Sequence, residues 1–354
     1  MYELSTLGFS PFFKKQIENE NVIPARIISE HKGGYQVQST EASGLAQLSG
    51  RLKRELDIES FPGVGDWVIL RTLPSADNAC IIDRILERST LFTRGAPGKP
   101  SHGQVIAANV DTVFIVCGLD NDYNLRRIER YLARVWASGA QPVVILNKSD
   151  ICDDVDSRID ETASVSIGAE VIATSATTNQ GIDDLKSFIL PGKTTAFVGS
   201  SGAGKSSLIN TVSGEKLLAT GEIRHSDGRG RHTTTSRQLL ILPRGGILID
   251  TPGMRELQLF DENGINTVFS EIETLSKFCR FNDCSHNGEP GCAVSEALEN
   301  GELSQERFEN YIKMRRESQA YELRHDEHRR RKSERIWGQL YDEGKMIRKL
   351  KGDD

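Results

Sequence analysis

The sequence predicts a multi-domain chain: an N-terminal β-barrel of the OB type, a central α/β domain of the P-loop kind, and a mainly helical C-terminal part around a cysteine–histidine cluster. Three observations carry this. Short apolar runs separated by glycine and proline turns fill residues 22–88. Strand-like and helical patterns then alternate, and one strand ends in Gly199-Ser-Ser-Gly-Ala-Gly-Lys205-Ser206. Cys279, Cys284, His286 and Cys292 crowd into one short stretch near the C-terminus. The expected boundaries are 1–92 for a lead-in and the barrel, 93–104 for a linker, 105–265 for the α/β domain and 266–354 for the C-terminal part.

With 354 residues, 37% hydrophobic and 27% charged, the chain can bury a proper core in each of two or three domains. No run of about 18 apolar residues exists, so no membrane span is expected. The first ten residues lack a basic region before an apolar core, so no secretory signal is expected and the cytoplasm is the expected compartment. A net charge of −6 argues against a chain that binds nucleic acid over its whole surface; any such surface must be local. Cys80 and Cys117 lie in apolar runs and read as small core residues.

Taken in order, residues 1–20 read as a short docked helix with Phe9, Phe12, Phe13 and Ile17 on its apolar side. Strands are expected at 23–28, 35–38, 67–70 and 78–82, about the number and spacing of a small barrel. Residues 93–104, rich in glycine and proline, read as the linker. Strands follow at 112–117, 142–146, 171–174 and 195–198, with helices at 125–138, 182–189 and from 207 on. Residues 238–242 and 247–249 read as a hairpin, which makes one antiparallel edge on an otherwise parallel sheet.

Strand, glycine loop and helix start together make a phosphate site. The loop backbone curls so that N–H groups of Gly199, Ser200, Ser201, Gly202, Ala203 and Gly204 point at phosphate oxygens, and the helix N-terminus adds its unpaired donors. Lys205 is expected on the β- and γ-phosphates, the Ser206 hydroxyl on Mg²⁺, and Ser207 in the first helical turn. Asn147-Lys148-Ser149-Asp150 ends another strand. The Asp150 carboxylate can accept from the N1–H and N2–H₂ of guanine, whereas adenine would leave it desolvated and unpaired. Ser175-Ala176 at a third strand end would contact the base. Asp250-Thr-Pro-Gly253 at a fourth would hold Mg²⁺ through water and sense the γ-phosphate through the Gly253 N–H. Open α/β sheets bind ligands at the carboxyl ends of their strands, which is why four such ends converge.

The order of these motifs is unusual. GTPases ordinarily run P-loop, D-x-x-G, N-K-x-D, S-A; here the last two come first. The chain thus resembles the circularly permuted GTPases of the ribosome small-subunit-dependent GTPase A type over most of its length. The resemblance implies GTP hydrolysis that assists late maturation of the small ribosomal subunit and is stimulated by it. The partners implied are GTP and GDP, that subunit and its rRNA, with no membrane and a monomeric protein. An alternative of another class is a GTP-gated RNA-binding assembly chaperone in which hydrolysis only resets binding.

Within Gly228-Arg-Gly-Arg-His232-Thr-Thr234-Thr235 one threonine should complete the Mg²⁺ shell, Thr234 first and Thr235 second. Met254 stands after Gly253, where an apolar side chain cannot orient water. His232 is similar in position to the histidine this family uses, so the resemblance makes it, with Lys205 and Thr234, the candidate catalytic set. Cys279, Cys284, His286 and Cys292 spell C-x₄-C-x-H-x₅-C, three thiolates and an imidazole for one closed structural Zn²⁺ site, and the family's zinc segment has this arrangement. Residues 303–351 read as helix, with fourteen Lys or Arg against nine Asp or Glu, densest at Arg329-Arg330-Arg331-Lys332. Beside a barrel and a zinc segment, that run suits an rRNA-facing element.

Overall fold

Barrel closure is the first thing the strand pairing decides. In the computed structural model, residues 2–31, 33–57, 60–75, 79–96, 99–214, 238–243, 245–250 and 262–323 are described, without the side chains of 94–104 and Asp250. β1 (Ile23–His31), β2 (Gly34–Gln38), β3 (Ser43–Leu48), β4 (Trp67–Leu70) and β5 (Cys80–Ile85) run in the spatial order β1-β2-β3-β5-β4, and β4 pairs back onto β1. Only β3–β5 is parallel. The order is consistent with an OB-type barrel. In β3 every second residue, Gly44, Ala46 and Leu48, points inward, the period of a half-buried strand. These meet Ala25, Ile27, Val37, Val68, Leu70 and Ile82 in the barrel core. α1 (Pro11–Gln16) docks outside it: Phe9 and Phe13 pack on Trp67, with Phe9 edge-on at 4.7 Å. Phe12, expected on that apolar side, is instead 42% exposed, because a helix so short offers only one face to the barrel. Within the barrel the structure adds two elements that the sequence pattern does not announce, β3 and α2 (Gly50–Glu55), the latter capped by Ser49 accepting from the Leu52 N–H.

The expected linker is ordered as strand. β6 (Leu91–Ala96) and β7 (Lys99–Ala108) form an antiparallel pair of their own. Glycine and proline content alone favoured a linker; the ladder from Leu91↔Ala108 to Ala96↔Lys99 overrides it.

The α/β sheet contains β8 (Thr112–Gly118), β9 (Gln141–Asn147), β10 (Glu170–Thr174), β11 (Thr194–Gly199), β12 (Gln238–Ile241) and β13 (Ile247–Asp250), in the order β10-β9-β8-β11-β13-β12. The first five in that order are mutually parallel; β12 is antiparallel to β13, as the hairpin reading expects. β12 is not a free edge, since Gln238 pairs with Ser29 of β1 and joins the sheet to the barrel. Alternate residues of β8 serve opposite faces. Val113, Ile115 and Cys117 meet Ile128, Leu132 and Val135 of α3 (Leu125–Ser138), while Phe114 and Val116 meet Phe197 and Leu208 behind the sheet. α4 (Val155–Val165), α5 (Ile182–Ser187) and α6 (Lys205–Ser213) complete the layers.

The C-terminal part is helical among the described residues: α7 (Glu262–Val268), α8 (Ser270–Ser276), α9 (Ala293–Glu299) and α10 over 305–323. Ile265, Val268, Phe269, Ile272, Val294, Tyr311 and Met314 share one core with α3, so this part sits on the α/β domain rather than beside it. The boundary expected at 265/266 falls inside α7. The helix expected over 303–351 is seen through residue 323; Arg329 to Lys332 lie outside the described residues. No helix among the described residues is long and apolar enough to cross a membrane.

Candidate functional site

Parallel pairing brings the motifs to one edge. Thr174 of β10 pairs with Asn147 of β9, Asn147 with Gly118 of β8, Gly199 of β11 with Val116 of β8, and Asp250 of β13 with Phe197 of β11. The carboxyl ends of all five strands therefore face one crevice, the place where such sheets bind ligands.

The glycine loop is specified by space as much as by flexibility. Gly199 has φ 142°, and a Cβ there would lie 2.1 Å from the Val116 carbonyl oxygen. Gly204, at the start of α6, has φ 95°, and a Cβ would lie 2.2 Å from the Asn147 amide nitrogen. No L side chain fits either position. Between them Ser201 and Gly202 are exposed, Ser200 is half-buried and Ala203 is buried. Ser206 and Ser207 sit half-buried in the first turn of α6. Lys205 Nζ donates to the Gly199 oxygen at 2.9 Å and to the Ser200 oxygen at 2.6 Å, so the ammonium is folded onto its own loop.

Asn147, expected as a nucleotide contact, is 2% exposed and bridges the loops. It donates to the Ala203 carbonyl at 2.9 Å and accepts from Thr174 Oγ1 at 3.2 Å, tying the N-K-x-D turn to the glycine loop and to β10. Lys148 has a left-handed φ of 68°, which swings the next residues into a single 3₁₀ turn, Ser149–Ile151. Ser149 is buried with its hydroxyl toward Gln180. Asp150 is exposed at the mouth of the crevice. Ser175 is fully buried, and its hydroxyl accepts from the Thr177 and Thr178 N–H groups, shaping the turn that carries Ala176. Asp250 ends β13. Gly253, Thr234, Thr235 and His232 lie outside the described residues.

Two carboxylates escaped sequence reasoning. Asp120 and Asp122 follow β8, between the glycine loop and the N-K-x-D turn. Asp120 Oδ2 pairs with Lys148 Nζ at 2.6 Å, and its other oxygen accepts from the Asp122 N–H. Burial alone would raise the Asp120 pKa; the Lys148 ammonium and the Asp122 amide outweigh it and hold the group below the usual carboxylate range. Asp122 accepts from Ser200 Oγ at 2.5 Å, from the Gly118 N–H at 3.2 Å and from Arg127 of α3 at 2.6 Å. One turn thus braces both halves of the crevice. The available signal was position: two acids directly after a buried parallel strand, at the ligand end of the sheet.

The cysteine–histidine cluster forms a cage away from this crevice. One ligand atom from each of Cys279, Cys284, His286 and Cys292 lies within 4.8 Å of the others. Cys279 Sγ is 3.8 Å from Cys292 Sγ and 3.6 Å from His286 Nδ1, which is 3.4 Å from Cys292 Sγ. Burial pushes the Cys284 thiol up to about 11. Burial would also raise Cys292, but donation from Ser295 at the start of α9 prevails and draws it down to about 6. Four convergent soft ligands, one already inclined to be a thiolate, fit a metal ion.

Comparison with known proteins gives a consistent picture. A family model described as RsgA GTPase matches residues 85–260. The chain is 46% identical over 333 residues to Small ribosomal subunit biogenesis GTPase RsgA 2 of Lactiplantibacillus plantarum, covering 94% of each chain. It is 44% identical over 363 residues to Small ribosomal subunit biogenesis GTPase RsgA of Opitutus terrae, covering 99% of each. Among solved structures, YjeQ from Thermotoga maritima matches with a TM-score of 0.62 at 30% identity, over 84% of this chain and 98% of that one. YloQ, described as a circularly permuted GTPase, matches with a TM-score of 0.58 at 28% identity, over 86% and 97%.

Proposed function

Because the chain belongs to the RsgA GTPase family, we propose that its strand-end crevice binds GTP with Mg²⁺ and that docking on the small ribosomal subunit switches hydrolysis on. The chain hydrolyses GTP and acts in biogenesis of the small ribosomal subunit, as its relatives' names state. The carrying observation is the convergence of the glycine loop, the N-K-x-D turn, the Ser175-Ala176 turn and Asp250 on one edge of a permuted parallel sheet. The assembly-chaperone alternative, with hydrolysis as a mere reset, is not favoured by relatives named as GTPases.

In this reading the base lies against the N-K-x-D turn. Asp150 accepts from guanine N1–H and N2–H₂, Lys148 lies along the purine face with its ammonium held by Asp120, and Ala176 offers its backbone to O6. The phosphates sit in the Gly199–Ser207 cradle. Lys205 leaves the Gly199 and Ser200 carbonyls for the β- and γ-phosphates, a short swing between two sets of acceptors. Mg²⁺, held by Ser206 and Thr234 and through water by Asp250, would neutralise charge between the β- and γ-phosphates. The Gly253 N–H senses the γ-phosphate. With Met254 unable to orient water, His232 takes that part on the docked subunit, and positioning is most of what phosphoryl transfer asks of a protein.

The cage is read as a structural Zn²⁺ site. A tetrahedral zinc with bonds of about 2.3 Å to sulfur and about 2.0 Å to nitrogen sets its ligand atoms roughly 3.5–3.8 Å apart. The separations of 3.8, 3.6 and 3.4 Å among Cys279, Cys292 and His286 agree with that. The ion would clamp the loop between α8 and α9. The basic run Arg329 to Lys332 is read as a contact to rRNA phosphate, and the protein as a cytoplasmic monomer.

The test is the GTPase rate with and without purified small subunits, for the parent chain and for His232→Ala. A strong stimulation of the parent, with the variant keeping GTP affinity and subunit binding but losing most of the stimulated rate, is expected. A parent rate indifferent to subunits would refute the docking switch; a variant stimulated like the parent would remove His232 from it.

A further inference from the structure

The metal-cage segment carries two exposed aromatic rings that the nucleotide chemistry does not use. Phe278 is 74% exposed and Phe281 43%. A phenyl ring left in water forfeits most of its hydrophobic gain, so two of them in one short segment call for a partner. Their neighbours are cationic. Lys277 and Arg280 are exposed beside them, and the Arg280 guanidinium lies over the Phe281 ring, 5.5 Å from its centroid. The acids nearby are Asp283, exposed, and Glu289, whose carboxylate is taken up by the Ser285 hydroxyl and the Ser285 and Asn287 N–H groups.

The segment is also stiff where it matters. The Phe278 N–H bonds the Leu275 oxygen at the end of α8, and the Arg280 N–H bonds the Gly291 oxygen at 2.9 Å, across the cage. Cys279 lies between the two rings and Cys284 just beyond. A closed cage thus presents the rings in fixed positions, so little conformational entropy is lost when something covers them.

We propose that Phe278 and Phe281, with Lys277 and Arg280, form a stacking platform for unpaired RNA bases. The chemistry favours this occupant over an apolar protein surface. Flat π-faces interleaved with cations suit bases joined by phosphates, since each base stacks on a ring while each cation meets the backbone. Arg280 stacked on Phe281 extends that flat surface. An apolar protein partner would instead have to desolvate both cations. The inference rests on the small-subunit reading for the RNA's identity, but its chemistry is tested without the subunit.

The experiment uses the full-length, metal-loaded chain and a fluorescently labelled twelve-nucleotide single-stranded RNA, with the same sequence as a duplex for comparison. Phe278→Ala and Phe281→Ala are each expected to weaken single-strand binding about tenfold or more, with duplex binding less affected. Phe278→Trp and Phe281→Trp should restore it; Phe278→Leu and Phe281→Leu, apolar but not flat, should not. Metal content and basal GTP hydrolysis should stay at the parent level in all variants. Leucine variants that bind like the parent would overturn the proposal in favour of an apolar protein contact. Alanine variants that bind RNA like the parent would overturn it outright. Alanine variants that melt well below the parent would show that the rings pack within the chain itself and overturn it too. Subunit-stimulated hydrolysis, measured in parallel on the parent, reports on the small-subunit reading separately. Loss of that stimulation with aromatic-dependent RNA binding intact would fault the function and spare the platform.

Discussion

Asp150 and Asp120 show how neighbouring carboxylates take different parts. Asp150 is exposed at the crevice mouth, free to meet a base; Asp120 is held by Lys148 and has no such freedom. Asp150→Asn is therefore expected to weaken GTP binding strongly and improve binding of xanthosine triphosphate, whose C2 oxygen accepts from the new amide. Competition binding with the two nucleotides checks this, and an unchanged preference for GTP would mean Asp150 does not face the base. Asp120→Ala should lower GTP and GDP affinity together, by about tenfold, and leave kcat near the parent value, since only the seating of Lys148 is lost. Asp120→Glu should recover part of the affinity. In the cage, Cys284→Ser is expected to abolish metal retention, because structural zinc binding is worth on the order of 10 kcal/mol and depends on the full ligand set. The pH dependence has a definite sign. Cys292, at about 6, is depressed from the ordinary thiol value, so its thiolate favours the folded cage above pH 9, and that contribution is lost as pH falls through 6. Cys284, at about 11, must give up a proton to a metal at neutral pH. Metal loading should thus release protons at pH 7.5, and retention against a chelator should fall steeply below pH 6.

At the scale of elements, α3 is the beam between the nucleotide crevice and the C-terminal helices. Its N-terminus is capped by Asn124, and Arg127 in its first turn reaches Asp122 beside the glycine loop. On its other face Glu129 is fully buried, with a carboxylate shared among Arg126, Arg307 and Asn310. Arg307 of α10 also bonds Glu271 and the Val268 carbonyl and lies over the Phe269 ring at 4.8 Å. Arg130 and Glu317 add an outer pair at 2.5 Å. Breaking a buried pair from one side strands the other charge. Arg307→Met should accordingly cost on the order of 3–5 kcal/mol in the C-terminal helices. Denaturation followed by a C-terminal probe such as Tyr311 should show it, while nucleotide affinity changes little. The double variant Glu129→Gln with Arg307→Met should recover much of that loss, since no unpaired charge is left inside.

For the whole molecule, the decisive contact is one buried arginine. Arg26 of β1 is 1% exposed. It donates to the carbonyls of Leu7, Gly65 and Asn109 at 2.6, 3.2 and 3.1 Å, and to Thr194 Oγ1 at 2.8 Å. Burial lowers its pKa to about 10, which still leaves it charged at neutral pH. These four acceptors belong to the N-terminal lead-in, the barrel, the segment after β7 and the start of the glycine-loop strand. A planar fork of donors can serve them together; an ammonium cannot. Arg26→Lys should already destabilise the chain by over about 1 kcal/mol, and Arg26→Met by on the order of 3–5 kcal/mol. Hydrogen exchange should then speed up in β1 and in residues 63–66, before the centre of the α/β sheet. Uniform protection in both variants would show that the barrel does not depend on this hub.

The sequence by itself determined the order of barrel, α/β sheet and helical end, the strand-end motifs and the four residues of the cysteine–histidine cluster. Those are local matters: a glycine loop between strand and helix, a four-residue turn, a cluster of soft ligands, each readable from residue type and spacing. It also determined most elements of the α/β sheet, because parallel strands buried on both faces leave continuous apolar runs such as residues 142–146. What it left open was pairwise and long-range. The antiparallel pair at 91–108 was hidden by its glycines and prolines, since only the partner strand supplies the reason for it to be extended. Asp120 and Asp122 became site residues only when β8 fell between β9 and β11, setting them against Lys148 and Ser200, 28 and 78 positions away in the chain. Arg26 reads as an ordinary strand arginine until Thr194, 168 positions away, is folded against it. A buried charge is tolerated only where enough acceptors converge on it, and convergence is a property of the folded chain.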